Sequence, residues 1–82
     1  MFNILLYNEL NTASVKKQFD KVLQNLKKGD FRSADVKKMV NTPYYRAKLD
    51  EKHRLLFQFG RHEGQTYLLI LEVILKIGRA HV

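Results

Sequence analysis

Apolar residues recur along this chain with three different spacings. Residues 2–8, FNILLYN, are a short apolar run closed by turn-forming residues, which predicts a first strand. The segment NELNTAS follows, and its Asn11, Thr12 or Ser14 can each accept a hydrogen bond from the unpaired amides at a helix start. From residue 14 to 28 the apolar positions are Val15, Phe19, Val22, Leu23 and Leu26, one face of an α-helix. Lys16, Lys17, Gln18, Asp20, Lys21, Gln24, Asn25, Lys27 and Lys28 make the other face, and Gly29 supplies a left-handed cap.

Residues 30–43, DFRSADVKKMVNTP, read as a connector in which Ser33 caps a short helical turn running to Met39. Pro43 disfavours helix just before it. Three strands are expected after it. In residues 44–49 Tyr45, Ala47 and Leu49 alternate with Arg46 and Lys48. Asp50, Glu51 and Lys52 form a tight turn, and residues 53–59 alternate again, with Leu55, Phe57 and Phe59 on one side. Residues 60–64 are the next turn. Residues 65–75 are apolar on both faces apart from Glu72, as in a central strand covered on both sides. The order is β-α-(short α)-β-β-β, an α+β fold with the helices on one face of a mainly antiparallel four-stranded sheet.

With 82 residues there is room for one domain. A chain of that size buries only about 60% of its unfolded surface, so each edge element matters to stability. Lys and Arg number 15 against 8 Asp and Glu, a formal charge of +7. Such a field attracts polyanions, nucleic acid first and an acidic protein segment second. The absence of cysteine rules out disulfides and thiolate metal sites and fits a reducing, cytoplasmic setting. The apolar runs are too short for a signal peptide or a membrane span, so no membrane partner is expected. His53 and His62 are too isolated to suggest a metal, and no cofactor is implied.

The last six residues, IGRAHV, break the alternation without turn chemistry. A common short-read sequencing adapter, AGATCGGAAGAGCACACGTCTGA, translates in one frame to these six residues followed by a stop. The expectation is a native domain over residues 1–75 that is cut short at its C-terminal side. Residues 76–82 are then an adapter-derived tail, and Arg79 and His81 need no function. Without Lys76 and Arg79 the rest of the chain is still basic.

The stretch YYRAKLDEKHRLLFQF, residues 44–59, resembles the central hairpin of the RelE/YoeB (RelE/ParE superfamily) toxins: an aromatic pair, alternating basic residues, an acidic turn, then His-Arg before alternating Leu and Phe. VKKMVNTP resembles the family's basic approach to that strand, and the likeness extends over residues 2–75. It implies a RelE-like fold. In ribosome-dependent members a ribose 2′-hydroxyl attacks the adjacent phosphate, which calls for cations on the phosphate and for an acid and a base. Arg54 matches the family's strand arginine and is the candidate catalytic residue, steadying the transition-state phosphate through its planar fork. Arg46, Lys48, Lys37, Lys38 and Tyr45 are the candidate nucleic-acid-binding residues, the tyrosine by stacking on a base.

Two departures bear on catalysis. The family's catalytic Glu has no match beyond the neighbouring Ala34 and Asp35, and its terminal His and Tyr would fall after residue 75. The fragment itself is therefore expected to be nearly inactive. Glu72 is expected to pair with Arg54 or Lys48, because an unpaired buried carboxylate is costly. The wording TPYYRAKL, RLLF and TYLLILEVIL further resembles a RelE-like module at the start of large UvrD-type helicase-like proteins. Three functions follow: a nucleic-acid-binding accessory module of such a protein, a free-standing ribonuclease toxin that acts with the ribosome and an acidic antitoxin, or a non-catalytic protein-interaction module.

Overall fold

The structure, a computed structural model, describes residues 2–75. Its elements are β1 (Asn3–Leu6), a 3-10 turn (Ala13–Val15), α1 (Lys16–Lys28), β2 (Lys37–Lys38), β3 (Tyr44–Lys48), β4 (His53–His62) and β5 (Gln65–Leu75). The strands form one sheet in the order β1-β5-β4-β3-β2. β1 runs parallel to β5, with Asn3 opposite Tyr67 and Leu6 opposite Ile70, and the other pairs are antiparallel. The tail expected at 76–82 lies outside the described residues. Among those described, no helix is long and apolar enough to cross a membrane.

α1 lies across one face of the sheet. Val15, Phe19, Val22 and Leu26 are buried against Ala47, Leu49, Leu55, Phe57, Leu68 and Ile70. At about 1.5–3 kcal/mol for each large side chain taken fully from water, these contacts are the main hold on the helix. Phe2, Phe31, Tyr45, Phe57 and Phe59 extend the core as a chain of rings with centroids 5.0–6.0 Å apart. The start of α1 has no side-chain cap; Asn11 Oδ1 instead accepts from the Ala13 amide at 3.1 Å and shapes the lead-in. Its end is closed as expected by Gly29 at φ 82, with the Gly29 amide donating to the Leu26 carbonyl and the Asp30 amide to that of Asn25.

The connector differs from expectation. The short helix predicted from Ser33 to Met39 is absent, and the sheet has five strands rather than four. Asp30 Oδ1 accepts from the Ser33 amide, and Asp35 takes a left-handed φ of 51° that interrupts helical propagation. The Ala34 carbonyl then accepts from the Lys48 amide at 2.9 Å, which ties the connector to β3 and lets Lys37–Lys38 pair along its edge. A two-residue edge strand made of lysines is poorly suited to pair with another chain.

β4 also runs further than predicted. The turn contains only Glu63 and Gly64, both at positive φ, which suits the twist of a two-residue hairpin. A register shift between Leu56 and Phe57 leaves Leu71 as the extra residue on β5. β5 is an inner strand, as its apolar character suggested, but among the described residues only its α1 side is covered. Leu68 and Ile70 are fully buried, while Tyr67, Leu69, Leu71 and Ile74 are only half-buried.

Candidate nucleic-acid interface

Alternation along β3 and β4 sorts their side chains between the two faces. Tyr45, Ala47, Leu55 and Phe57 point under α1, so Tyr44, Arg46, Lys48, Arg54, Leu56 and Gln58 occupy the open side. The register arranges these in rows across the sheet. Lys37 lies opposite Arg46, Arg46 opposite Leu56, and Leu56 opposite Glu72. In the next row Lys48 faces Arg54, and Arg54 faces Ile74. A third row runs Tyr44, Gln58, Leu69 and Leu5. The face is cationic over β2, β3 and β4 and mostly apolar over β5 and β1, where Glu72 adds one exposed carboxylate.

The turn after β3 fixes the guanidinium of Arg54. Asp50 Oδ1 accepts from the Lys52 amide at 2.8 Å, the His53 amide at 2.7 Å and His53 Nδ1 at 2.9 Å. The turn so formed presents the Asp50 carbonyl, which accepts from Arg54 Nη1 at 2.6 Å, and the His53 carbonyl accepts from the same nitrogen at 3.0 Å. Nη1 is thereby occupied. An arginine has five N–H donors, so Nε and Nη2 remain to grip an oxyanion. The His53 hydrogen bond, followed by those from the Lys52 and His53 amides, holds the Asp50 carboxyl below its ordinary value of 3.8 despite some desolvation. Lys48 Nζ lies 3.0 Å from Glu51 Oε2 at the surface. Such exposed pairs are worth about 0–1 kcal/mol, so this one yields readily to a phosphate.

The residues expected to bind nucleic acid are thus divided. Lys37, Arg46, Lys48 and Arg54 share the open face. Lys38 is opposite Tyr45 in the register and belongs to the α1 side. Tyr45 itself stacks on Phe57 at 5.8 Å and meets Phe59 edge-on at 5.0 Å, so its ring is core rather than a platform for a base. Of the pair Tyr44 and Tyr45, Tyr44 is the one on the open face. Asp35 is exposed in the turn before β2, and Ala34 is buried. The ion pair expected of Glu72 is not formed with either cation; the side chain is exposed and needs none. The clamp made by Asp50 and His53 was missed in the sequence, where the Asp-x-x-His spacing over a turn was its only sign.

No protein-family model matches the sequence, and no curated protein matches it. Among solved structures, the YoeB/ParE toxin from Agrobacterium tumefaciens superposes on 92% of this chain and 99% of its own, with a TM-score of 0.68 and 10% sequence identity. The chain has a YoeB/ParE-like fold. That likeness covers the backbone of the RelE-like architecture expected from residues 44–59. At this identity it carries the fold alone.

Proposed function

We propose that the open sheet face binds a nucleic-acid backbone, with Arg54 as the central phosphate ligand and Arg46, Lys48 and Lys37 beside it. The observation that supports this is the gathering of four cations on one uncovered face, with Arg54 held in place by two backbone carbonyls. Strands about 4.8 Å apart set these cations at spacings that a flexible single strand can follow. The test is titration of a fluorescent single-stranded RNA at several salt concentrations. The double variant Arg46→Ala/Arg54→Ala should bind more weakly, and its log–log salt slope should fall by about 0.7 for each lost phosphate contact. Equal binding and slope in the wild type and the variant would refute the reading.

In its fuller form, residues 1–75 are an accessory RelE-like module at the start of a cytoplasmic helicase-like protein, and residues 76–82 are adapter-derived. Sequencing the source DNA past the codon for Leu75 tests this: a downstream GxxxxGK[ST] phosphate-binding loop supports it, and natural coding for IGRAHV refutes it. The second reading is a ribonuclease toxin restrained by an acidic antitoxin, and the likeness to a YoeB/ParE toxin favours it. Its mark is a reading frame that ends soon after a His- or Tyr-bearing tail beside an antitoxin gene.

A further inference from the structure

The open face carries a pocket as well as a cluster of cations. Leu5, Gly60, Arg61, His62, Tyr67 and Leu69 enclose about 280 Å³ near the β4–β5 turn. Gly60 lies opposite Tyr67 in the register, and Leu5 lies opposite Leu69 in the next row. Gly60 has no left-handed φ, and the one register shift between these strands is elsewhere, at Leu56 and Phe57. Neither backbone conformation nor a bulge therefore calls for glycine here, and what the residue contributes is its missing side chain. A glycine of this kind inside a strand marks a place of close approach. A Cβ at Gly60 would stand 3.3 Å from Leu69 Cδ1, and apart from its chain neighbours only Leu69 comes within 4 Å among the described residues. The Tyr67 ring thus stands beside the glycine rather than over it, and the slot between them is open.

We propose that this slot takes an unpaired base of the nucleic-acid strand whose phosphates lie on Arg54 and Arg46. The inference rests on the nucleic-acid reading of the open face and adds to it a site for a base. Position selects the occupant. Arg54, Leu56, Gln58, Gly60 and His62 alternate onto one side of β4. Gly60 is four residues beyond Leu56, the neighbour of Arg46, which is about 13 Å at the rise of a strand. A single strand held by its phosphates at the cations carries a base on every residue. Its continuation along β4 crosses the uncharged pair Tyr44 and Gln58 and then meets the slot.

Charge and shape agree with position. None of the six lining residues is acidic, and the exposed Arg61 and His62 stand at the rim. A basic partner, including another molecule of this +7 chain, is repelled there, and a polyanion is drawn in. Tyr67 offers a ring for stacking, which suits the π-face of any base. Arg61 makes one long bond, from Nη2 to the Gly64 carbonyl at 3.4 Å, and its other donors can reach the acceptors on a base edge.

Two variants empty or fill the slot and leave every cation in place. Gly60→Val fills it with a residue suited to strands, and Tyr67→Leu removes the ring but keeps an apolar wall. Each should bind a fluorescent single-stranded RNA about tenfold more weakly than the wild type, with an unchanged log–log salt slope. Tyr67→Phe should bind as the wild type does. A fully abasic oligonucleotide of the same length, which offers phosphates without bases, should bind the wild type and all three variants alike. Should Gly60→Val fail to fold, Tyr67→Leu carries the test. Equal RNA binding by Tyr67→Leu and the wild type, with Arg46→Ala/Arg54→Ala still weakened, would overturn the base site and leave the backbone reading intact. Equal binding by all the variants would overturn both. Weakened binding of an acidic peptide to Tyr67→Leu, with RNA binding unchanged, would assign the slot to a protein partner and overturn the proposal as well.

Discussion

Successive residues along β3 and β4 meet opposite surroundings. Ala47, Leu55 and Phe57 are fully buried beneath α1, whereas Arg46, Arg54 and Leu56 lie on a face that no helix among the described residues covers. One face is bound to its own chain by packing, and the other offers its chemistry to something else. The difference teaches that stability and recognition can be separated by a single residue step, since a strand turns alternate side chains to opposite sides. Substitutions should therefore affect one property and spare the other.

The largest effect is expected on the covered face. Phe57→Ala removes a fully buried ring that touches Tyr45 and Phe59, and should cost about 3–5 kcal/mol, measured as a shift of the urea midpoint. Small domains have only about 5–15 kcal/mol in total, so this one substitution would remove a large share of the stability. Arg54→Ala is the counterpart on the open face. Its unfolding midpoint should move by less than about 0.5 kcal/mol beyond the two carbonyl bonds it gives up, while RNA affinity falls several-fold. A change confined to stability would erase the contrast between the faces.

A smaller effect is expected at the turn that joins them. The carboxyl of Asp50 is depressed in the folded chain, so its contribution is present above its ordinary value of 3.8 and is lost as pH falls through the lowered folded value. The melting temperature of Asp50→Asn should lie below that of the wild type near neutral pH, and the gap should narrow as acid protonates the wild-type carboxylate. Asp30, depressed by its hydrogen bonds with Ser33, acts in the same direction in both proteins and cancels from the difference. The smallest effect belongs to Glu72→Gln. This carboxylate is exposed in the same row as Lys37 and Arg46, and removing its charge should tighten RNA binding slightly without altering the melt.

α1 was legible because its apolar face recurs at helical spacing and Gly29 ends it. β3 and β4 were legible because buried and polar residues alternate. The same alternation separates Tyr45 from Arg46 and Lys48, so the core position of that ring was within reach of the sequence. The connector was not. Whether residues 33–39 coil or extend depends on the left-handed turn at Asp35 and on the Lys48 amide, which sits on a distant strand. β5 misled in a different way: a strand apolar on both faces signals that both avoid water, but not that this chain supplies both covers. The site was legible as a set of cations and not as a geometry, because the hold of Asp50 and His53 on Arg54 runs through backbone carbonyls that sequence does not mark.

The parallel pairing of β1 with β5 has a consequence for how the protein is made. Asn3 and Tyr67 are partners in the sheet, yet one leaves the ribosome early and the other late. At roughly 5–20 residues per second, β1 waits several seconds before its partner strand exists. α1 and the β3–β4 hairpin can form from neighbouring residues during that interval, but the sheet cannot close at β1. For that time the FNILLYN segment travels as an unpaired apolar strand, and chaperones or a neighbouring nascent chain have their best opportunity to engage it.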